Sequence, residues 1–147
     1  MHRISVFVIC CLLSALCAAC GGSSASAQSM TAANLKGAYA GEFSGEIKTA
    51  SGYTPFDGTG VFIADGNGHL SGHETYTSDG RVCDATIAGT YQIAADGTGT
   101  VSLAYTGITA GCGSGTYTQS LVLGGSGQVA YLANTDGNQI SEQWHLQ

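Results

Sequence analysis

Hydrophobic and polar residues alternate along most of the chain after residue 35, with a period of two. In one such stretch Cys83, Ile87 and Tyr91 fall on one face, whereas Asp84 and Thr86 fall on the other. Successive strand residues point to opposite faces of a sheet, so the pattern predicts strands with one apolar and one polar face. The positions expected on the apolar face are Tyr39, Phe43, Ile47, Leu70, Tyr76, Cys83, Ile87, Tyr91, Ile93, Val101, Leu103, Tyr105, Tyr117, Leu121, Leu123, Val129, Tyr131, Ile140, Trp144 and Leu146.

Turn signals divide these stretches from one another. A strand–turn–strand unit with an Asp-Gly-x-Gly turn occupies residues 58–71 and recurs at residues 89–102. Glycine supplies the positive φ angles of tight turns, and aspartate hydrogen-bonds within them. Seven such signals predict eight strands, and they lie at residues 51–55, 65–68, 79–80, 96–99, 109–115, 124–127 and 136–138. Residues 29–35 fit one helical turn before the first strand.

Eight strands joined by short turns pair as antiparallel neighbours. An open meander of this length would leave two long edges unpaired, and closure removes them. The sequence therefore predicts an all-β fold, a single eight-stranded antiparallel up-and-down β-barrel over residues 35–147. This architecture resembles the avidin and lipocalin group of secreted barrels, including a last strand with an inward Trp144. The resemblance covers architecture alone: the lipocalin Gly-x-Trp motif is absent, and Trp144 is the only tryptophan.

The first residues read as an export signal. A basic start, Met1 to Arg3, precedes an apolar run over residues 4–19, which is the form of a secretory signal peptide. Two cleavage sites compete. Residues 16–24 resemble a bacterial lipobox and lipoprotein tether, which implies acylation of Cys20, although Cys17 stands where the pattern usually has leucine. Alternatively, ordinary signal peptidase cleaves after Ala27.

These readings set the expected domains and location. We expect a signal peptide over residues 1–19 (or 1–27), a flexible tether over 20–34 and the barrel over 35–147. The protein is then an exported cell-envelope or outer-membrane lipoprotein held to the membrane only through Cys20, or alternatively a secreted or periplasmic protein. Only Cys83 and Cys112 lie outside the leader region, and export favours a disulfide between them.

Charge excludes some partners. After residue 27 the chain carries ten acidic and three basic residues, a net charge of −7. With no basic patch to neutralise phosphates, nucleic acid is excluded as a partner. Electrostatic docking to an anionic membrane is excluded on the same ground.

Two acidic residues fall on the apolar face. Glu74 shares the face of Leu70 and Tyr76, and Glu142 shares that of Ile140 and Trp144. A buried carboxylate is costly without hydrogen bonds, so each needs a partner, and inward tyrosines or Gln119 are the candidates. Together, these acids and the inward tyrosines form the lining of a polar, aromatic pocket for a small ligand. Alternatively, the barrel is filled by its own side chains, and the two acids lie near its mouths. The candidate ligand-binding residues are Tyr39, Glu74, Tyr76, Tyr91, Tyr105, Tyr117, Glu142 and Trp144.

Metal and catalytic signals are weak. His69 and His73 would lie about 13 Å apart along a strand, too far to share one ion. With His145 they fall on polar faces, so we expect surface histidines, no metal site and no cofactor. No nucleophile or zinc-hydrolase motif is present, so we predict a protein without catalytic activity.

Three functions remain open. The first is an exported monomeric barrel that binds a small apolar or aromatic ligand inside. The second is a structural or interaction module with a filled barrel, which contacts a cell-surface protein or a glycan through residues 50–56 and 109–115. The third, with no supporting motif, is an enzyme resembling allene oxide cyclase, which is also a small barrel.

The two cleavage sites make different predictions for Cys20. Cys20→Ser should abolish fractionation of the protein with membranes if Cys20 is acylated. Cell fractionation followed by immunoblotting measures this. An unchanged distribution between membrane and soluble fractions would instead indicate cleavage after Ala27.

Overall fold

The chain forms a closed antiparallel barrel. A computed structural model of the protein describes residues 29–147. Each strand is hydrogen-bonded to the next along the chain, and the last pairs with the first, as predicted. The strands are β1 (Lys36–Thr49), β2 (Gly52–Asp65), β3 (His69–Ser78), β4 (Arg81–Ile93), β5 (Thr98–Gly107), β6 (Ser114–Gly124), β7 (Val129–Asn134) and β8 (Gln139–Leu146).

The predicted signal peptide and the predicted acylation site at Cys20 lie outside the described residues. Within residues 29–147, no helix is long and apolar enough to cross a membrane.

The pairing of β1 with β8 closes the barrel. It runs antiparallel from Tyr39 opposite Leu146 to Glu46 opposite Gln139. Gly45 lies in this seam with a φ of +152°, and a Cβ there would collide with the Gln139 carbonyl. A glycine is therefore required for the two strands to approach this closely.

The Asp-Gly turns have the predicted chemistry. Asp65 Oδ1 accepts hydrogen bonds from the backbone N–H groups of Asn67 and His69, at 2.6 and 3.0 Å. Asp96 accepts bonds from both the backbone and the hydroxyl of Thr98 in the equivalent turn. Each aspartate thus satisfies the donors of its own turn.

One end of the barrel, here called the closed end, is plugged by residues 30–35. The predicted single turn is a 3-10 turn over Ala32–Asn34, and Leu35 is completely buried. The Tyr91 hydroxyl donates to the Leu35 carbonyl at 2.6 Å, and the Tyr39 hydroxyl donates to the Gly127 carbonyl at 2.7 Å. Part of the segment assigned to the tether, residues 30–34, is thus packed against the barrel.

The inner face of β7 differs from the prediction. Val129 and Tyr131 were expected to point inward, but Tyr131 is 52% exposed, whereas Ala130 and Leu132 are buried. Every residue from 129 to 133 is apolar or aromatic, so alternation alone does not identify the inner face of β7. The pairing with β8 decides which face is inward, because Ala130 lies opposite the inward Trp144.

Most other inward positions are confirmed, with one exception at the end of β8. Leu146 is 43% exposed, because it is the last residue of its strand and extends beyond the packed core.

The predicted disulfide between Cys83 and Cys112 is present. Its Cα atoms are 5.8 Å apart, and the two cysteines are 29 positions apart in the sequence. The bond joins β4 to the loop between β5 and β6. It lies at the end opposite the closed end, here called the mouth.

Replacing both cysteines, Cys83→Ser with Cys112→Ser, should lower the free energy of unfolding by about 3–4 kcal/mol in the chain-entropy description of a loop of this length. Chemical denaturation under non-reducing conditions measures the loss. Reduced wild-type protein is the control and should match the variant. Equal midpoints for oxidised wild type and variant would contradict a stabilising bond.

Candidate functional site

The barrel interior contains two apolar clusters with a polar layer between them. The closed-end cluster contains Leu35, Phe62, Leu103, Leu121 and Trp144, among others. The mouth cluster consists of Phe43, Tyr76, Cys83, Ala85 and Ile140. Only three polar or charged residues are buried among residues 29–147, and all three belong to the polar layer: Glu74, Gln119 and Glu142.

The polar layer comes from the middle of three strands. Glu74 lies between Gly72 and Tyr76 on the inner face of β3, Gln119 between Tyr117 and Leu121 on β6, and Glu142 between Ile140 and Trp144 on β8. In each strand the residues toward the mouth are aromatic or aliphatic. The layer is therefore a polar floor beneath an apolar cup.

Glu142 is well supplied with donors. Gln119 Nε2 donates to its Oε2 at 2.9 Å, and Trp144 Nε1 donates to its Oε1 at 2.5 Å. Burial raises the pKa of Glu142 to about 7, although both hydrogen bonds favour the charged form and act against this shift. The sequence correctly indicated Gln119 as a partner, whereas the expected tyrosine donors are not used here.

Glu74 has no such support. It is 2% exposed, and its Oε1 has no hydrogen-bond partner among residues 29–147. Burial and the nearby Glu142 carboxylate raise the pKa of Glu74 to about 8. Glu74 is therefore mostly a neutral acid at pH 7.

Gln119 also has one oxygen without a partner. Its Nε2 donates to Glu142 and to Asn134 Oδ1, the latter at 3.1 Å, while its Oε1 accepts nothing within the described part of the chain. Among residues 29–147 the polar floor thus contains two buried side-chain oxygens without a hydrogen-bond partner, Glu74 Oε1 and Gln119 Oε1. An unsatisfied buried polar atom is costly, and functional sites are a common reason for keeping one.

A cavity of about 420 Å³ opens at the mouth. Phe56, Tyr76 and Tyr105 lie in its wall, and the series of aromatic rings extends from them to Phe43 and Tyr117. Phe43 stacks on Phe56 with centroids 5.3 Å apart, and Phe56 lies 5.0 Å from Tyr76. Tyr105 continues the series at 6.1 Å from both Tyr76 and Tyr117. Burial raises the pKa of Tyr117 strongly, so its hydroxyl remains neutral.

The rim of the mouth is tied down. Cys112 bonds to Cys83, and Arg81 Nη1 donates to the Gly111 carbonyl at 2.7 Å. The Thr109 hydroxyl accepts from the Asp84 backbone N–H at 2.9 Å. These contacts hold the loop between β5 and β6 over the edge of the cavity.

The structure brings only part of the predicted ligand set together. Tyr76, Tyr105 and Tyr117 lie at the mouth, and Glu74 and Glu142 form the floor with Gln119, which was named only as a partner. Tyr39, Tyr91 and Trp144 lie instead in the closed-end cluster. There the Tyr91 hydroxyl bonds to Leu35 of the plug, and the Tyr39 hydroxyl bonds to Gly127.

Several residues at the mouth were not predicted as site residues. They are Phe43, Ile47, Phe56, Arg81 and the cysteines of the disulfide. Phe43 and Ile47 were assigned inward from alternation, but the sequence carried no signal that they share one end of the barrel with Phe56.

A second recess lies on the outer face of the barrel, across β7, β8, β1 and β2. It has a volume of about 590 Å³, larger than the mouth cavity. Its outward side chains include Tyr131, Glu42 and Asp57, all exposed. Solvent satisfies these exposed polar groups, and buried Glu142 of the polar layer also belongs to the lining of the recess.

The three histidines after the leader, His69, His73 and His145, are exposed on the outer face. Within the part of the chain that the structure describes, no group of three or more His, Cys, Asp or Glu side chains is arranged to hold a metal ion.

Comparison with protein-family models, with curated proteins and with solved structures found no match to this chain. The site is therefore interpreted from its own geometry.

The two raised carboxyl pKa values predict that folding stability depends on pH. Between the ordinary carboxyl pKa of about 4.5 and the folded-state values of about 7 and 8, the native state binds more protons than the unfolded state. The stability that these two groups contribute is therefore fully present below about pH 4.5 and is lost as pH rises toward 8.

Glu74→Gln, which fixes a neutral side chain, should reduce this slope and raise the unfolding midpoint above that of wild type at pH 8. Thermal unfolding between pH 5 and 9 measures it. Glu46→Gln, at an outward position on β1, is the matched control and should leave the slope unchanged. A wild-type stability that rises from pH 5 to 8 would contradict the prediction.

Proposed function

We propose that this protein is an exported, non-catalytic barrel that binds a small hydrophobic or aromatic ligand through its mouth. The observation that carries the proposal is the open cavity of about 420 Å³ with aromatic walls and a few polar side chains, Ser78, Asp79 and Arg81, in its lining. Ligand sites are typically concave and mostly apolar, with a few polar groups that fix orientation. The mouth has this composition, and its volume falls in the range of small-molecule pockets.

The closed end supports this orientation of entry. Residues 30–35 and the hydroxyls of Tyr39 and Tyr91 plug that end, so the mouth is the accessible route into the barrel. The rim is held by a disulfide and by Arg81, and a preformed rim reduces the ordering cost of binding. The cavity is thus prepared for a ligand without a large rearrangement.

The residues at the mouth also support a role without catalysis. Glu74 lacks a hydrogen-bonded partner, and Glu142 is held by Gln119 and Trp144. A general base has to lie within reach of substrate, and neither carboxyl group lines the mouth cavity.

The outer recess favours a second function, an interaction module that contacts a protein or glycan. Tyr131 is exposed there beside acidic and hydroxyl side chains. Exposed tyrosine among polar groups is a common contact in recognition surfaces. The loops expected to make such contacts, residues 50–56 and 109–115, lie instead around the mouth, where both functions would use them.

Two tyrosines separate the functions. Tyr105→Ala should weaken binding of the neutral apolar dye Nile red at least tenfold, because it removes a ring from the cavity wall. Tyr131→Ala, the matched control on the outer face, should change the affinity less than twofold. Fluorescence titration gives both dissociation constants, and far-UV circular dichroism verifies that each variant is folded.

Loss of binding in the Tyr131 variant alone would assign the ligand to the outer recess and reject the mouth. If wild-type protein binds no Nile red and native mass spectrometry of protein from its host detects no bound small molecule, the ligand-binding function is wrong.

A further inference from the structure

Among residues 29–147, one basic residue belongs to the inner face of the barrel. Lys36 and Lys48 fall on the outer face of β1, in step with the exposed Glu42. Arg81 instead begins β4 two positions before the buried Cys83, and it therefore has the inward parity of that strand. It is also the one basic residue in the lining of the mouth cavity within the described chain.

The Arg81 guanidinium group has hydrogen-bonding capacity left over. Its Nη1 donates to the Gly111 carbonyl at 2.7 Å, which holds the group at the edge of the cavity beside the rim loop. That bond uses one N–H of a planar group that carries several. Because Arg81 is exposed, its remaining N–H groups are open to a ligand that enters the mouth.

Ser78 lies next to Arg81 at the rim. The two residues are register partners in the pairing of β3 with β4, and both line the cavity. Ser78 has inward parity as well, two positions beyond the buried Tyr76. A hydroxyl and a guanidinium group thus lie on one side of an opening whose wall is aromatic.

We propose that the ligand is an organic acid with an aromatic or apolar body, whose carboxylate pairs with Arg81 at the rim and whose body packs on the rings of the cavity wall. This inference rests on the proposed function and specifies its ligand class. A carboxylate matches the guanidinium group in two parallel, charge-assisted hydrogen bonds. The Ser78 hydroxyl is a further donor within the same lining.

The cavity separates the place for a charge from the place for an apolar body. Tyr76 is 4% exposed, and its ring centroid lies 5.0 Å from that of Phe56 and 6.1 Å from that of Tyr105. Arg81, in contrast, is exposed at the rim. An amphipathic acid can bury its apolar body on these rings and keep its carboxylate near water, which avoids the cost of burying a charge.

Acidic residues act against an anionic ligand, and their distance decides how strongly. The cavity lining contains one acid, Asp79, in the turn between β3 and β4. The chain after residue 27 has a net charge of −7, but charges more than about 8 Å apart are largely screened at physiological ionic strength. Arg81 and Asp79 therefore govern the charge selectivity of the mouth more than the net charge does.

Three probes of similar shape test the inference by competition with Nile red at pH 7.4: 1-naphthaleneacetic acid, 1-naphthaleneacetamide and 2-(1-naphthyl)ethylamine. They share a ring system and differ in carrying an anion, a neutral polar group or a cation. We expect the acid to bind at least fivefold more tightly than the amide, and the amine to bind most weakly.

Arg81→Gln should bring the affinities for the acid and the amide to within twofold of each other. The ratio of the two affinities is the readout, because Arg81 also holds the rim and its loss affects every probe. Lys36→Gln, which removes a positive charge outside the cavity lining, is the matched control and should preserve the ratio. A preference for the acid that survives in Arg81→Gln, or is lost in Lys36→Gln, would overturn the assignment to Arg81.

Asp79→Asn should have the opposite effect. Asp79 has a φ of +51°, a conformation that asparagine also adopts readily, so the turn is kept. Removing this acid from the lining should raise the ratio of acid to amide affinity at least twofold. A ratio that stays the same or falls would contradict selection by charge at the mouth.

Salt supplies a second readout in the wild-type protein. Salt screens an ion pair at an exposed rim, so affinity for the acid should fall at least threefold between about 20 and about 500 mM sodium chloride, whereas affinity for the amide should not fall. An acid affinity that is independent of salt would contradict the pairing. Equal binding of all three probes, still dependent on Tyr105, would overturn the inference and leave the proposed function intact. Binding of none of them, with no Nile red binding, would reject both.

Discussion

The hydrogen bonds between β1 and β8 turn a meander into a barrel, and the interior exists only because of them. An open sheet would have one solvated face and one apolar face that has to be buried against another element. Closure gives the inner faces of all eight strands the same neighbours, so a single period-two pattern fills the core. Because Gly45 has no side chain, β1 can approach the Gln139 carbonyl of β8 closely enough to pair with that strand. Everything that the interior contains, apolar or acidic, is held there by this pairing.

The interior is unusual because it is not apolar throughout. A filled barrel would be more stable with leucine or methionine at the positions of Glu74 and Glu142, since burying an acid carries a desolvation cost. The protein lessens that cost by protonation at Glu74 and by two donors at Glu142. Stability alone does not explain the retention of these groups.

Sequence pattern identified most of the fold because alternation and turn chemistry are local. Asp65 and Asp96 make the expected turns, and Cys83 and Cys112 pair. The predicted inner face of β7 was wrong because both faces of this strand are apolar. Its orientation is decided by the pairing of Ala130 with Trp144, which is not local in the sequence. The candidate site was predicted only in part for a similar reason. Alternation tells that Tyr91 and Tyr105 point inward, but the height of each along the barrel axis depends on strand register, which places one at the plug and the other at the mouth.

The two ends of the barrel are built for different purposes. At the closed end, tyrosine hydroxyls bond to backbone carbonyls and leave no polar atom free for a ligand. At the mouth, the disulfide and Arg81 restrain the loop over the cavity, and the aromatic rings of the wall pack on one another. The restrained rim and the packed rings together hold open an incompletely filled cup. Such a cup would collapse or admit water in a barrel whose core packing alone had to hold it open, because unrestrained side chains move to fill voids.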